Sequence, residues 1–386
     1  MNKQYGNHVR QTNNGYLKRI HLRNFFCIND LKIDGLQEKK EIYIVGENGE
    51  GKTILLQGIL LAFKGDRNVG EIINFIKQNP LNNCHLEAVD HNNSSYVFSE
   101  NEPVREHIAK NVFAYGVHRT RNDSDKADEY GYLTLFEDNR YLKNPVKWLQ
   151  YLHHKEKAKE KPPIGLDTAI SMLKSLLDQN VGIEVTPDAV TFSERKTKVE
   201  FSQLADGYKS VIVWVCDLLE KLSKNQAGVK SNKDFKGIVL LDEIELFLHP
   251  KWKYRIVSNL RRWFPGIQFI FTTHSSTVIL GASKDAVFYK LYKQDGVTTI
   301  SQPISKISNL MLNALITSPL FDLESAQALS YEQDKEELDT SDDYLYFKIH
   351  QEIKTRIKTM KNITEEKILD MIKDELDHFE ASQKHA

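Results

Sequence analysis

The stretch EIYIVGENGEGKTILLQGILLAF, Glu41 to Phe63, decides the fold of this chain. Its first part, Glu41 to Val45, is an apolar run that predicts a buried strand, and a second apolar run from Lys52 predicts a helix. Between the two runs lie three glycines in six residues, Gly46 to Gly51. Glycines let a backbone curl so that successive N–H groups face one point. The stretch therefore predicts a strand, a glycine-rich loop and a helix in direct succession.

The spacing of this loop matches the phosphate-loop pattern G-x-x-x-x-G-K-[ST], in the strand–loop–helix context that the pattern requires. The loop N–H groups and the positive end of the following helix would bind phosphate. Lys52 would reach the β- and γ-phosphates, and the Thr53 hydroxyl would bind Mg²⁺. We therefore expect a nucleotide and Mg²⁺ site whose contacts are Asn48, Gly49, Gly51, Lys52 and Thr53.

The composition is that of an ordinary globular protein, with 386 residues, 40% apolar and 27% charged residues, and a net charge of −1. This charge argues against a basic protein that coats nucleic acid, but it does not exclude a local basic groove. No apolar run approaches the length of a bilayer span. Residues 1–15 are polar, without the apolar core of a signal peptide, and the three cysteines indicate no disulfide framework. We expect a cytoplasmic protein without a membrane span.

Short apolar runs alternate with helix-like segments along the chain, which is the pattern of a mostly parallel sheet with helices packed on it. Strands are predicted at 16–25, 31–33, 84–89, 95–98, 112–118, 183–185, 190–192, 237–241, 268–272, 287–291 and 298–300. Helices are predicted at 69–77, 146–154, 166–177, 251–264 and, after a short turn, within 201–222. We expect an α/β fold with a mixed sheet and helices on both faces.

Three regions follow from this pattern. Residues 1–15 are expected to be a flexible leader, and 16–304 a single head domain with a helical insertion at about 140–180. Residues 305–386 are expected to be helical, and an apolar stripe at helical spacing, formed by Ile349, Ile353, Ile357 and Met360, would pack on the domain or on a partner.

Two acidic residues follow the buried strand predicted at 237–241. Asp242 is placed to hold Mg²⁺ through the water shell of the ion, and Glu243 can take up the water that attacks a phosphate. A buried acidic pair without a metal would be costly to keep charged, which favours a functional role. His274 follows the next buried strand and is placed to hydrogen-bond the γ-phosphate. Thr53 and Asp242 are thus the predicted metal ligands, and Glu243 and His274 the predicted catalytic residues.

These motifs together resemble one family. The Walker A residues Gly46 to Thr53, the Walker B block Leu240 to Glu243 and the switch-type His274 are similar to those of ABC-type ATPases of the SMC/RecF/OLD group. The stretches DEIELFLHPKW, FTTHSS and RNFFCI, which begin at Asp242, Phe271 and Arg23, add detail specific to that group. The resemblance covers roughly 17–300, and it implies a P-loop head of the ABC-ATPase type that binds Mg-ATP.

The resemblance also implies a homodimer or higher homo-oligomer in which two heads enclose two ATP molecules. A signature loop of one head would close on the γ-phosphate held by the other, and Ala205, Asp206 and Gly207 are its counterpart here. This loop departs from the usual L-S-G-G, since Ala205 replaces the serine and Asp206 stands where glycine is common, which implies a weaker or slower clamp. A Q-loop glutamine is not evident, and His118 and Arg119 occupy its expected place.

The chain is too short between Walker A and the signature loop for the long coiled-coil arms of SMC proteins, and it shows no acidic Toprim pattern after His274. It therefore resembles the compact ATPase subunits of bacterial anti-phage systems, such as the Septu and retron-associated ATPases that work with a separate nuclease. By this resemblance we expect an ATPase that regulates a partner effector, a nuclease, in such a system.

Two alternatives are kept. One is a DNA-binding repair ATPase of the RecF type, whose DNA contacts would come from Arg119, Arg121, Arg255, Arg261, Arg262 and the Lys155–Lys161 run. It predicts an affinity for duplex DNA that falls steeply with salt. The other is a nucleotide-binding scaffold with negligible turnover, a possibility that the missing serine at Ala205 supports.

Overall fold

A computed structural model of the chain describes residues 10–12, 15–65, 72, 74–75, 83–99, 107–177, 181–305, 315, 318 and 320–321. These residues belong to one compact unit, Met1–Leu323; the second unit, Glu324–Ala386, lies outside the described residues. Most of the helix predicted at 69–77 and of the helical region predicted from 305 also lies outside them.

The elements of the described residues are numbered here in chain order. The strands are β1 (Arg10–Thr12), β2 (Leu17–Phe25), β3 (Ile28–Ile33), β4 (Glu41–Val45), β5 (His85–Asp90), β6 (Ser95–Ser99), β7 (His107–Ala109), β8 (Val112–Tyr115), β9 (Val181–Val185), β10 (Val190–Glu194), β11 (Thr197–Val199), β12 (Gly237–Leu241), β13 (Ile267–Thr273), β14 (Val287–Gln294) and β15 (Val297–Ile300). The α-helices are α1 (Lys52–Lys64), α2 (Pro145–Lys157), α3 (Leu166–Leu176), α4 (Asp206–Asn225), α5 (Pro250–Lys253), α6 (Ile256–Trp263) and α7 (Ser276–Leu280).

The central sheet has the strand order β15-β14-β4-β13-β12-β8. Neighbouring strands from β14 to β8 are parallel to each other, and β15 is antiparallel to β14. Every residue of β4, β8, β12 and β13 is buried, as their continuous apolar sequences require in a sheet covered on both faces. The predicted mixed, mostly parallel sheet is confirmed.

Helices cover both faces of this sheet, as predicted. Tyr43 and Val45 of β4 join one hydrophobic core with residues of α2, α3, α4 and α6. Ile42 and Ile44, which point the opposite way because side chains alternate along a strand, join a second core with α1. The α/β fold with helices on both faces is therefore the observed one.

A second, antiparallel sheet has the order β3-β2-β5-β6. Apolar residues of β2 such as Ile20 and Leu22 enter the same core as Leu55 and Leu60 of α1. Helix α1 therefore lies between the two sheets, so that the loop before it is supported from both sides. The pairing of the strands predicted at 16–25 and 31–33 is confirmed.

Several elements differ from the prediction. A third strand, β11, extends the hairpin of β9 and β10 into a separate three-stranded sheet. Helix α2 continues to Lys157, and β8 ends at Tyr115 rather than near His118. The helix predicted at 251–264 is divided into α5 and α6. The carbonyl of Tyr254 at this break lies so close to Gly281 that a Cβ there would come within 1.9 Å of its oxygen.

No helix among the described residues is both long and apolar enough to cross a bilayer.

Candidate active site

The predicted site residues converge at one edge of the central sheet. Strands β4 and β13 are paired in register up to Val45 and Thr273, and β12 pairs with β13 on its other side. The glycine-rich loop follows β4, Asp242 follows β12 and His274 follows β13. The carboxyl ends of parallel strands thus bring together residues that are far apart in the chain.

The glycine-rich loop has the backbone that the sequence predicts. Gly49 and Gly51 adopt φ values of 85° and 93°, in the left-handed region that side chains disfavour. Lys52, only 6% exposed, donates hydrogen bonds of 2.8 Å to the carbonyls of Gly46 and Glu47. Burial lowers the pKa of Lys52, and the negative charges of nearby acidic residues, Glu243 first among them, oppose that effect. The ammonium group is thus held at the loop and faces the acidic end of β12.

Thr53 and Asp242 are in direct contact although 189 positions separate them. The Thr53 hydroxyl donates to Asp242 Oδ2 at 2.7 Å, and the Asp242 side chain is buried. A hydroxyl and a carboxylate that touch at the foot of a phosphate loop are the donor set that Mg²⁺ takes together with phosphate and water oxygens. The two predicted metal ligands therefore lie where one ion could contact both.

Thr272 of β13 joins Asp242 to Glu243. Its hydroxyl donates to Asp242 Oδ1 and accepts the backbone N–H of Glu243 at 2.7 Å. Glu243 has a φ of 42°, which is unusual for a residue with a side chain. The sequence analysis did not single out Thr272; the run of two threonines before His274 was its only indication.

Arg119 holds the same peptide units from the other side. Its guanidinium donates to the carbonyl of Asp242 and, at 2.8 Å, to that of Glu243. The side chain is 1% exposed, and burial lowers the pKa of Arg119 to about 10 while the charge of Asp242 opposes the shift. The expectation that Arg119 contacts DNA is therefore wrong, because its charge is used inside the protein to hold the backbone that carries both acidic residues.

His274 pairs with a residue that the sequence analysis missed. Glu245 is 1% exposed, and its Oε1 accepts the backbone N–H of His274 at 2.7 Å and lies 3.2 Å from His274 Nδ1. The imidazole is about half exposed, and its Nε2 makes no hydrogen bond with the described residues. The pattern of acidic residues at alternate positions, Glu243 and Glu245, could have indicated this partner.

A cavity of 360 Å³ borders the loop and His274. Gly46, Glu47 and Glu50 line one side of it, and Lys290 and Lys293 of β14 line another. The structure therefore brings His274 and the phosphate loop to one cavity, and it adds two lysines that the sequence analysis did not assign to the site.

The residues predicted for the signature loop lie at the start of α4. Ala205 and Asp206 are exposed, while Gly207 is buried against the loop that follows β12. The Asp206 carboxylate lies 3.2 Å from Lys209 Nζ, in the next turn of the helix. Its ion pair thus stays within α4 and does not involve the phosphate loop of the same chain.

Other basic residues named for the DNA-binding alternative differ in the structure: some are bonded to neighbouring groups of the protein, and others are exposed. Arg261 Nη1 donates to the carbonyls of Phe264 and Ile267, and Nε lies 3.6 Å from Glu41, so a DNA contact by Arg261 is contradicted as well. Lys155 is paired with Glu160. Arg255 and Arg262, in contrast, are exposed.

The strand order, the glycine-rich loop before α1 and the aspartate after β12 define a protein with a P-loop fold. A family model described as "AAA domain, putative AbiEii toxin, Type IV TA system" matches residues 90–280, a range that begins after the phosphate loop. The chain is 26% identical over 325 residues to Septu protein PtuA of Bacillus mycoides (strain KBAB4), covering 80% of this chain and 45% of that protein.

A second relative is the Retron Vc95 probable ATPase of Vibrio cholerae serotype O1 biovar El Tor, 32% identical over 170 residues, which are 42% of this chain and 33% of that protein. The chain thus spans less than half the length of both relatives. The SMC head domain from Thermotoga maritima aligns with 75% of this chain and 99% of that chain at 16% identity and a TM-score of 0.40. The predicted resemblance to Septu and retron ATPases is confirmed by the two sequence matches.

Proposed function

We propose that the protein binds and hydrolyses Mg-ATP at the edge of its central sheet, dimerises on ATP, and thereby regulates a partner effector in bacterial anti-phage defence. The observation that carries the proposal is the contact between Thr53 and Asp242 at the phosphate loop. The names of the relatives, a Septu protein and a retron probable ATPase, support the defence role and the ATPase activity.

In this mechanism the residues of the loop bind the phosphates. The N–H groups from Asn48 to Lys52 and the start of α1 face the anion, and Lys52 exchanges its bonds to the loop carbonyls for bonds to phosphate oxygens. Thr53 and Asp242 would hold Mg²⁺, which would supply positive charge to neutralise the phosphates. Lys52 and Thr53 already lie on the first turn of α1, directly after the loop.

Glu243 and His274 have the catalytic roles in this proposal. Glu243 orients the attacking water, and its backbone is held for this task by Thr272 and Arg119. His274 donates to the γ-phosphate through Nε2 in its imidazolium form, in which both ring nitrogens are donors and Nδ1 donates to Glu245. Catalysis then rests on positioning and electrostatic stabilisation, as in other phosphoryl transfers.

Dimerisation would complete the site. Ala205, Asp206 and the N–H of Gly207 begin α4 at a position where its positive end can meet a phosphate held by a second copy. The exposed Ala205 offers no hydroxyl, which favours a slow clamp.

We further propose the domain boundaries expected from the sequence. These are a head at 16–304 with a helical insertion at about 140–180, and a helical region at 305–386. We also propose a cytoplasmic location and a nuclease as the effector.

The test compares ATP hydrolysis by the wild type and by Glu243→Gln. We expect Glu243→Gln to lose about 100-fold or more of the rate, as is typical when a group that manages the proton of the nucleophile is removed. Glu184→Gln is the matched control, since Glu184 is an exposed glutamate on β9; this variant should hydrolyse ATP like the wild type. Equal rates for all three proteins would contradict the role of Glu243, and a wild type without turnover would favour the scaffold alternative.

Light scattering on Glu243→Gln tests dimerisation separately. Its mass should double on addition of Mg-ATP, whereas Lys52→Ala should stay unchanged because its loop lacks the phosphate contact. A mass that does not respond to Mg-ATP would refute ATP-driven dimerisation, and co-purification with a candidate effector would then show whether assembly is set by the partner.

A further inference from the structure

A basic cleft, which shares no lining residue with the cavity at the phosphate loop, lies between α3 and the pair α5 and α6. Its volume is 590 Å³, within the range of small-molecule binding pockets. Four cationic side chains line it, one from α3, one from α5, one from the break between α5 and α6, and one from α6: Lys174, Lys251, Arg255 and Arg262. We use the name basic cleft for this cavity and these four residues.

Among the described residues, no acidic partner compensates the positive charge of the basic cleft. All four cationic side chains are exposed, and no acidic residue is among the described residues that line the cavity. None of the four forms an ion pair with another described residue, whereas Arg119 and Arg261 have internal partners. In a chain with a net charge of −1, such a concentration is a local feature that would attract an anion.

Hydrogen bonds join α3 and α6 beside the basic cleft. Asn259 Nδ2 donates to the carbonyl of Ser175 at 2.6 Å, and Trp263 Nε1 donates to the Ser175 hydroxyl at 2.5 Å. These bonds hold the two helices that carry Lys174 and Arg262. A ligand would therefore meet cations on helices that are already held together, so that only their side chains have to be ordered on binding.

Two aromatic side chains add a different kind of surface. Tyr254 lines the basic cleft and is 51% exposed. Trp252 also lines it, and its ring centroid lies 4.4 Å from that of Tyr208 on α4. An exposed tyrosine beside arginines is suited to stack on a nucleobase, and arginine forms hydrogen-bonded pairs with phosphate. A simple acidic peptide would use the cations but not the aromatic surface.

We propose that the basic cleft binds the phosphate groups and one base of a nucleotide, supplied either by a single-stranded nucleic acid or by a free nucleotide. The four cations bind the phosphates, and Tyr254 stacks on the base. The site differs from the ATP site in every residue, and binding there requires neither Mg²⁺ nor hydrolysis.

The test measures fluorescence anisotropy of a labelled single-stranded oligonucleotide with full-length protein, in EDTA and without ATP. Failure of the proposed ATPase function would leave this measurement unaffected. The logarithm of the affinity should fall with the logarithm of the salt concentration with a slope of roughly −3, from about −0.7 for each of four phosphate contacts. Arg255→Gln/Arg262→Gln should halve that slope to roughly −1.5 and weaken binding about tenfold or more at low salt.

The matched control is Lys198→Gln/Lys230→Gln, which removes two exposed lysines outside the basic cleft and should bind like the wild type. Tyr254→Ala should weaken binding about tenfold without changing the salt slope, because stacking releases no counterions. AMP and ATP are then added as competitors of the oligonucleotide, in Lys52→Ala protein so that the phosphate loop does not bind them. Displacement of the oligonucleotide by AMP or ATP indicates a free nucleotide as the ligand, and no displacement indicates a strand.

Three results would overturn the proposal. One is that neither the oligonucleotide nor a free nucleotide binds at low salt. A second is that Arg255→Gln/Arg262→Gln binds as the wild type does. The third is that a polyglutamate peptide displaces the oligonucleotide while Tyr254→Ala has no effect, since the cleft would then accept any polyanion.

Discussion

Thr272 shows how much of this site depends on a single hydroxyl. The residue is fully buried on β13, and its oxygen both donates to the Asp242 carboxylate and accepts the N–H of Glu243. Asp242 receives a second hydrogen bond from Thr53. A buried carboxylate is stable only when such donors surround it. One threonine thus sets the orientation of the proposed metal ligand and of the proposed catalytic residue.

Thr272→Val keeps the shape of the side chain but removes this hydroxyl. We expect the free energy of unfolding to fall by about 1–3 kcal/mol, because a buried carboxylate oxygen and a partly buried N–H each lose a partner. ATP hydrolysis should fall as well. Urea denaturation and steady-state hydrolysis measure the two effects.

Thr197→Val on the exposed strand β11 is the matched control, and it should change neither quantity, since β-branched residues suit exposed strands equally. An unchanged stability of Thr272→Val would show that the hydrogen bonds of Thr272 are not needed to hold the acidic pair.

At the scale of elements, the start of α4 is fixed by the loop that follows β12. A Cβ built at Gly207 would lie 2.4 Å from the carbonyl oxygen of Phe247, a distance that real side chains do not adopt. Phe247 itself has a φ of 63° and an exposed side chain. The helix that carries the proposed signature loop is therefore packed directly on the segment that begins with Asp242 and Glu243. A displacement of one of these elements would displace the other.

Gly207→Ala should destabilise the protein because the added methyl group meets backbone rather than a movable side chain. We expect a loss of about 1–3 kcal/mol in the free energy of unfolding, which is typical of overpacking. Chemical denaturation measures it.

Gly228→Ala is the control for the change in chain entropy, since a Cβ at Gly228 meets nothing within 4 Å. This control should be neutral or slightly stabilising. A Gly207→Ala variant as stable as Gly228→Ala would indicate that α4 and the loop can move apart easily.

At the scale of the whole unit, the antiparallel sheet and the central sheet are joined by buried polar contacts. The Gln268 side chain on β13 accepts the N–H of Leu17 at 2.6 Å and donates to the carbonyls of Leu36 and Lys39 at 2.8 Å. Lys40 lies at this junction, with its Nζ 3.2 Å from the centre of the Tyr16 ring. The junction is therefore a place where one ionisation affects the stability of the whole unit.

Stability should depend on pH through Lys40. Burial, together with the charges of Arg261 and Lys236, lowers the pKa of Lys40 from 10.5 to about 8. Between these two values the unfolded chain keeps a proton that the folded protein has lost, so the unfolded state binds more protons and stability rises with pH. Because Lys40 is partly exposed, solvent screens the effect, and we expect about 1 kcal/mol or less.

The measurement is the denaturation midpoint of the wild type and of Lys40→Met from pH 7 to pH 10. The wild type should gain stability relative to Lys40→Met across this range. Other groups that titrate there contribute equally to both proteins, so the difference in midpoint reports Lys40. A difference that is constant with pH would show that Lys40 keeps its ordinary pKa in the folded protein.

The sequence by itself determined the parts of this protein that depend on local pattern. The apolar run from Glu41, the glycines and the helix from Lys52 appear as predicted, because strand burial, left-handed glycines and helix formation are set by neighbouring residues. The hairpins of β5 with β6, β9 with β10 and β14 with β15 were also predicted and are observed, because they too depend on neighbouring residues. The convergence of Asp242 and His274 with the loop also followed, because parallel strands carry the residues after them to one edge.

Only the tertiary structure decided which charges are internal and which are exposed. Arg119, Arg255, Arg261 and Arg262 are alike in sequence, yet the first and third are held by internal acceptors and the other two line the basic cleft. The partners of Arg119 are the carbonyls of Asp242 and Glu243, more than a hundred positions away. A hydrogen bond over such a separation depends on sheet order and packing, and for that reason the contacts of Thr272 and Glu245 were found only in the folded protein.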